Sequence, residues 1–293
     1  MPRYLSASAH GERVRIDFDN ALRESTIVHW HGLAVDTRND GAGMTLAAPG
    51  ERYGYDFEVR DRGALYWYHP HPHGMTAAQA YRGLFGMIEV EDEDERRLRS
   101  ALDLMPGQTE IPLVLQDLRG RDYAASDADR MHGFLGDAVY INGTACPYLD
   151  VASRIYRFRV LNASNARTYR LGLRTAEGKR VPFTLIGGDG GLLPSPIDCS
   201  DAFIASAERL DMYDETGTAG RVMQLVLDEL AAMRPLALSL PLPRDRRLQR
   251  LSTRLRHDPG IDASISEHAR EIGMPCRAGH RQKCPDRTLR EST

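Results

Sequence analysis

The sequence predicts an all-β protein built from β-sandwich units, with a poorly structured C-terminal tail. Three observations carry this prediction. Apolar and polar residues alternate with period two in short runs, as half-buried strands require. Val14, Ile16 and Phe18 alternate with charged residues, and Tyr53, Tyr55, Phe57 and Val59 alternate with Gly54, Asp56 and Glu58. Turn signals such as Asn39-Asp40-Gly41 and Pro49-Gly50 separate the runs, and no long helical pattern intervenes.

Taken in order, Arg13 to Phe18 reads as a first strand, and strands with turns continue to about Val90. The acidic run Glu89 to Glu95, followed by Arg96 to Leu104, reads as a short connecting helix ended by Pro106-Gly107. A second β unit runs from Ile111 to about Leu240. Its glycine-rich turn, Gly187-Gly188-Asp189-Gly190-Gly191, needs backbone freedom that glycine supplies at least cost. The turn lacks the lysine and following helix of a phosphate loop. Residues 242–293 are rich in arginine and poor in large apolar side chains, and read as a linker, an extension or out-of-frame sequence. Within them Cys276, His280 and Cys284 place three soft ligands without a fourth, a weak metal pattern.

A length of 293 residues accommodates two domains, and a net charge of −3 gives no case for nucleic acid or an anionic membrane as partner. No window has the length and apolarity of a transmembrane helix. The start, MPRYLSASAHGERVRIDF, lacks a basic and apolar leader, so the chain as written is expected in the cytoplasm unless its true start lies upstream. Four cysteines, Cys146, Cys199, Cys276 and Cys284, are too few and too scattered for a disulfide framework.

The chemistry concentrates in two stretches, His29-Trp30-His31-Gly32-Leu33 and Tyr66-Trp67-Tyr68-His69-Pro70-His71-Pro72-His73-Gly74, which hold five of the ten histidines. Each contains a His-x-His step among aromatic and β-branched neighbours that suit a strand. On a strand, residues i and i+2 share a face at ~6.6 Å, so each step sets two imidazoles side by side. Neutral imidazole suits Cu, Zn, Fe and Ni, and the separation suits two adjacent ions better than chelation of one. His29, His31, His69 and His71 are therefore the candidate metal ligands. His73, between Pro72 and Gly74 where the strand should end, reads as a supporting or structural residue.

These stretches resemble the first pair of copper motifs of the multicopper oxidases, the family of laccases, bilirubin oxidases and bacterial cuprous oxidases. Further similarities follow in the family's order: the Asp40-Gly41 step, APGERYGYDF from Ala48, YRGLFGMIEVEDEDE from Tyr81 and IPLVLQD from Ile111. Later come GDAVYINGT from Gly136, YRFRVLNASNARTYRL from Tyr156, IGGDGGLL from Ile186 and AERLDM from Ala207. The resemblance covers about residues 5 to 213. It implies cupredoxin-like Greek-key β-sandwich domains, the first over residues 1–105 with half of a trinuclear copper site. The second would span 106–241 as a spacer without copper, leaving 242–293 as the tail. It assigns Asn142-Gly143-Thr144 and Asn162-Ala163-Ser164, which fit the glycosylation sequon, to structural motifs instead. By position His29 resembles the type 2 copper ligand, and His31, His69 and His71 resemble type 3 ligands. Asp40 matches an acid that aids proton delivery; the alternative is a turn residue before glycine.

In the family, a type 1 copper passes electrons to the trinuclear cluster, which reduces dioxygen to water at the expense of a reducing substrate. The last cupredoxin domain supplies the type 1 site and half the cluster ligands through HPxHLHG and HCHxxxHxxxGM motifs. Neither motif occurs in this sequence. The resemblance thus implies a multicopper oxidase-type oxidoreductase cut to its first two domains, inactive as an isolated chain. Such a chain would need either a missing third cupredoxin domain or self-association. The alternative function is a copper-binding but catalytically inactive fragment. A zinc-dependent hydrolase is more remote, since it wants an aspartate where Pro72 or Gly74 stands, or a barrel of alternating strands and helices. Relatives are commonly periplasmic or secreted.

Overall fold

The structure, a computed structural model, describes residues 3–42, 45–145, 147, 149, 154–175, 179–214 and 223–229. The tail, with Cys276, His280 and Cys284, lies outside the described residues, as does Cys146. The described chain is built mainly of strands: β1 (Arg3–Ala9), β2 (Arg13–Asp19), β3 (Val28–His31), β4 (Arg52–Glu58), β5 (Ala64–Pro70) and β6 (Gly86–Glu91) form a first group. Helix α1 (Thr76–Tyr81) sits between β5 and β6, and α2 (Glu93–Ala101) follows β6. The second group comprises β7 (Glu110–Leu118), helix α3 (Asp127–His132), β8 (Ala138–Ile141), β9 (Thr144–Ala145), β10 (Tyr156–Asn162) and β11 (Tyr169–Thr175). It continues with β12 (Arg180–Val181), β13 (Phe183–Gly188), β14 (Gly191–Cys199), β15 (Ala202–Ile204), β16 (Arg209–Asp214) and β17 (Met223–Glu229). Among the described residues no helix is long and apolar enough to cross a membrane.

In the first group a four-stranded sheet, ordered β1-β6-β5-β3, faces the two-stranded ribbon β2-β4. The ribbon buries the alternating residues named above: Val14 pairs with Phe57 and Ile16 with Tyr55. Their side chains pack on Trp30, Tyr66, Ile88 and Val90 from the inner face of the sheet. The second group stacks a seven-stranded sheet, ordered β14-β13-β16-β10-β7-β8-β9, near a sheet ordered β12-β11-β15 with β17 on β11. Its core includes Leu115, Val160, Tyr169, Leu171, Phe183, Ile204 and Met212. The two groups share a third cluster. Leu65, Trp67 and Met87 from the outer face of the first sheet meet Val114, Leu161 and Ala163 of the second. Strand periodicity thus sends one face of β5 into its own sandwich and the other toward the neighbouring unit.

The connecting helix is shorter than the sequence predicts. Glu89 and Glu91 belong to β6, and the helix begins only after Asp92, whose side chain accepts from the Glu95 amide at 2.9 Å. The reason is tertiary. Glu89 and Glu91 share one face of the strand, where Arg99 of α2 reaches them at 2.6 and 2.5 Å. The sequons are structural, as the resemblance implies: Asn162 is fully buried, its amide donating to the Arg167 carbonyl at 2.7 Å. The Asn142 side-chain oxygen Oδ1 accepts from the Val114 main-chain amide at 2.8 Å.

At the joint between the units lies a buried ionic cluster. Arg157 and Arg159, on β10, are 0% and 1% exposed. Arg157 binds Glu95 at 2.7 and 2.8 Å, Glu110 at 2.9 Å and Asp211 at 2.8 Å. Arg159 binds Glu110 at 2.8 Å and also Glu95, and Arg99 reaches Glu110 at 2.9 Å. With Glu89 and Glu91 included, five acids face three arginines. Burial pushes the Glu89 carboxyl upward, whereas Arg159 and Arg157 overcome burial at Glu110 and pull it downward. Removing one partner from such a cluster strands the others in a low-dielectric interior, at a cost of roughly 3–5 kcal/mol. Arg157→Met should therefore lower the urea unfolding free energy by about that amount. Arg13→Gln, which breaks a solvent-exposed pair with Asp56, should barely move the midpoint. Equal midpoints for the two variants would refute the assignment of the joint.

Candidate metal centre

The site is made by the pairing of β3 with β5. The strands run antiparallel with His29 opposite His69 and His31 opposite Trp67. Trp30, between the two histidines, points into the sandwich core and is 3% exposed. His29 and His31 consequently stand on the outer face, with His69 and Trp67 beside them. His71 follows the end of β5, and its amide donates to the Ile27 carbonyl at 3.1 Å, which extends the pairing.

The four imidazoles form one cluster. Ring centroids are 5.7 Å apart within each His-x-His step, between His29 and His31 and between His69 and His71. Across the strands His29 lies 5.2 Å from both His69 and His71, and His31 lies 5.4 Å from His69. Ligand nitrogens of His29, His31 and His69 all fall within 4.8 Å of one another. His73 is exposed in the turn before α1.

Hydrogen bonds settle which nitrogens face the cluster. His29 Nδ1 donates to the Asp40 carbonyl at 2.7 Å, and His69 Nδ1 donates to the Pro70 carbonyl at 3.0 Å. A carbonyl only accepts, so both rings carry their proton on Nδ1 and keep the Nε2 lone pair free. His31 Nδ1 and His69 Nε2 are 3.2 Å apart. That spacing fits a hydrogen bond, and it also fits two ligands of one ion, for which ~2.0 Å bonds at tetrahedral angles place the nitrogens roughly 3.3 Å apart. Burial, with a smaller contribution from the Arg209 charge, pushes the His31 imidazole down to about 4. Burial likewise pushes His69 down to about 3. Both rings are neutral at any physiological pH, with a nitrogen lone pair each. The donor set fits a borderline transition metal such as copper.

The loop before β4 aims the Asp40 carbonyl. Asp36 accepts from the Arg38 amide at 3.0 Å and the Asn39 amide at 3.1 Å, while the Asp40 amide donates to the Asp36 carbonyl at 2.9 Å. Buried Asn39 staples this turn to β4: it donates to the Asp56 carbonyl at 3.1 Å and accepts from the Asp56 amide at 2.8 Å. Gly41 follows with φ +69°, and a Cβ there would sit 1.8 Å from the Val28 carbonyl oxygen. Only glycine permits that approach to β3. On the same strand the Tyr55 hydroxyl donates to the Val28 carbonyl at 2.9 Å and accepts its amide at 3.0 Å.

Of the sequence-predicted residues, the structure brings together His29, His31, His69, His71 and Asp40, and sets His73 apart in its exposed turn. Asp40 touches the cluster chiefly through its main chain. Its carboxylate lies 3.4 Å from His29 Nδ1 and is 35% exposed. Sequence reasoning passed over Trp67, whose ring is 4.4 Å from His69 and 5.1 Å from His31. Period two from His69 would have found it. Asn39, Tyr55 and Arg209 carry no local signal of their roles.

Known proteins resemble this chain in sequence and in fold. The family description "Multicopper oxidase" matches residues 5–95. Over 204 residues the chain is 37% identical to the cell division protein FtsP of Xenorhabdus nematophila, covering 69% of this chain and 42% of that protein. Over 230 residues it is 32% identical to the multicopper oxidase mco of Staphylococcus haemolyticus, covering 78% and 50%. The crystal structure of the McoA multicopper oxidase from Aquifex aeolicus superposes with a TM-score of 0.71 at 41% identity, covering 76% of this chain and 49% of that one. The chain spans about half the length of these relatives. Its paired sandwiches are therefore of the cupredoxin type, and the chain belongs to the multicopper oxidase family.

Proposed function

We propose that this chain supplies one half of a multinuclear copper site in an oxidase that couples oxidation of a reducing substrate to reduction of dioxygen. The observation that carries the reading is the convergence of four imidazoles from two paired strands, with rings 5.2 to 5.7 Å apart. His29 takes the type 2 role, and His31, His69 and His71 the type 3 roles, within a first domain over residues 1–105. Residues 106–241 form a second domain without copper. Copper held by the histidine cluster, once its remaining ligands are in place, would supply the reduction of dioxygen to water. The chain's own groups hold the site in place: the Asp40 carbonyl orients His29, the Pro70 carbonyl orients His69, and burial keeps His31 and His69 unprotonated. The Asp40 carboxylate, partly exposed beside His29, is placed to move protons at the rim of the site.

The remaining ligands come from a third cupredoxin domain or a second copy. Cys199 is the one cysteine among the described residues, and it packs on the core of the second group. The fold also removes the hydrolase reading that needs a barrel of alternating strands and helices. A second reading, a binding role without turnover, is favoured by the likeness to FtsP, which is named for cell division. Oxygen uptake by the copper-loaded chain separates the two. Uptake that is negligible for the chain alone and measurable on adding a third domain supports the half-site, and none under either condition supports the second reading.

Three measurements test the site. Replacing His29 and His31 together by alanine, or His69 and His71 together, should abolish tight copper binding measured by metal content after desalting. The pair His10→Ala and His132→Ala should leave it intact, and equal loss from all three variants would sink the ligand assignment. Protein loaded with Cu(II) should be nearly colourless at about 600 nm, where copper–thiolate centres absorb. An intense blue band would reveal a thiolate ligand. Asp40→Ala keeps the carbonyl that orients His29, so copper affinity by chelator competition should hold. Gly41→Ala drives a methyl into Val28 and should weaken binding about 10- to 100-fold, the usual cost of disturbing a ligand's support.

A further inference from the structure

We infer that Arg209, on β16 of the second group, is a positioning residue for His31, so that the second unit sets the ligand geometry of the first. The inference rests on the copper half-site for its functional meaning, but its geometry stands independently. Gly32, directly after His31, has φ +90°, and a Cβ built on it would lie 2.7 Å from Arg209 Nη2 and 3.0 Å from the Tyr66 ring. The guanidinium therefore occupies the place that a side chain at position 32 would take. Glycine here serves both the backbone conformation and the close approach of a cation from another sheet.

Arg209 is held in that place from three sides. Its Nε donates to the Leu65 carbonyl of β5 at 3.0 Å, which ties it to the strand carrying His69. Its Nη2 donates to the Asp189 carbonyl at 3.1 Å, and Nη1 meets the Asp189 carboxylate at 3.0 Å. The Asp189 carboxylate also accepts from the Arg209 amide at 2.7 Å. Asp189 belongs to the glycine-rich turn after β13, and Gly191 of that turn approaches Gly63, where a Cβ would stand 2.9 Å from the Gly63 carbonyl. Arg209 itself is 3% exposed, with its charge 5.7 Å from the centre of the Tyr66 ring. A planar guanidinium holds five donors in a fixed fork that spans a strand carbonyl, a turn carbonyl and a carboxylate; the compact ammonium of lysine lacks that fork. The His31–Gly32 turn is thus clamped between β5 and the glycine-rich turn, and the direction of the His31 ring follows from the clamp.

The test uses the full chain with ¹⁵N-labelled histidine, read first without metal and then by copper competition. Arg209→Ala and Asp189→Ala should each shift the His31 ring resonances while leaving those of His71 in place, with the smaller shift for Asp189→Ala. The half-exposed Asp189 makes its variant the safer one to fold. Gly32→Ala should reproduce the shift by displacing the guanidinium, and Arg209→Lys should fail to restore it. Copper affinity should fall about 10- to 100-fold in Arg209→Ala. His31 resonances unmoved in both alanine variants would overturn the inference, as would equal movement of all four rings, which marks general loosening. A wild-type chain that takes up no copper would overturn the metal reading, while the ring resonances would still decide the role of Arg209.

Discussion

The register of β3 against β5 is the constraint on which the site depends. With His29 opposite His69, every imidazole of the two His-x-His steps that lies on a strand faces outward, and Trp30 faces the core. Because side chains alternate with period two, a slip of one residue would bury the histidines and expose the tryptophan. Burial of Trp30 against Tyr55 and Phe57 therefore fixes the histidine face indirectly. The hydrophobic effect selects the register, and the register selects the chemistry.

The support around β3 extends this economy to single nitrogens. The outward edge of the strand is occupied by the Tyr55 hydroxyl and by the close approach of Gly41, both at Val28. The Asp36–Asn39 turn then delivers the Asp40 carbonyl to His29 Nδ1. Main-chain acceptors thereby set the tautomers of His29 and His69, which leaves their Nε2 lone pairs for a metal. A carbonyl is a durable choice for this task, because no change of pH alters its hydrogen-bonding sense.

The second unit contributes more than covalent spacing. Its Val114, Leu161 and Ala163 cover the part of the outer sheet face below the histidines, where Leu65, Trp67 and Met87 lie. Its arginines enter the first unit's territory twice. Arg157 and Arg159 meet the acids of α2 and β7 at the buried joint, and Arg209 reaches the Gly32 turn. Buried ion clusters are a weak source of net stability but discriminate strongly against misaligned packing, since each displaced partner is left uncompensated. The joint is thus suited to holding one relative placement of the two sheets beside the histidine face.

Much of this was legible in the sequence. Alternation at Val14–Phe18 and Tyr53–Val59 located β2 and β4, and two His-x-His steps in strand contexts marked the four imidazoles that cluster, because both signals are local and repeat with the strand period. The same logic misplaced Glu89 and Glu91, whose charges read as helix surface while Arg99 makes them strand residues. Arg157 and Arg159 alternate with Phe158 and Val160 as solvent-facing residues would, yet they are among the most buried side chains. No local pattern announces partners that arrive from α2, β7 and β16. What the sequence by itself determined is the set of elements and the imidazoles they carry. The tertiary structure alone decided which carbonyl orients each ring, which face the second unit covers and why position 32 is glycine. Those outcomes depend on contacts between distant segments, and the strand period cannot encode them.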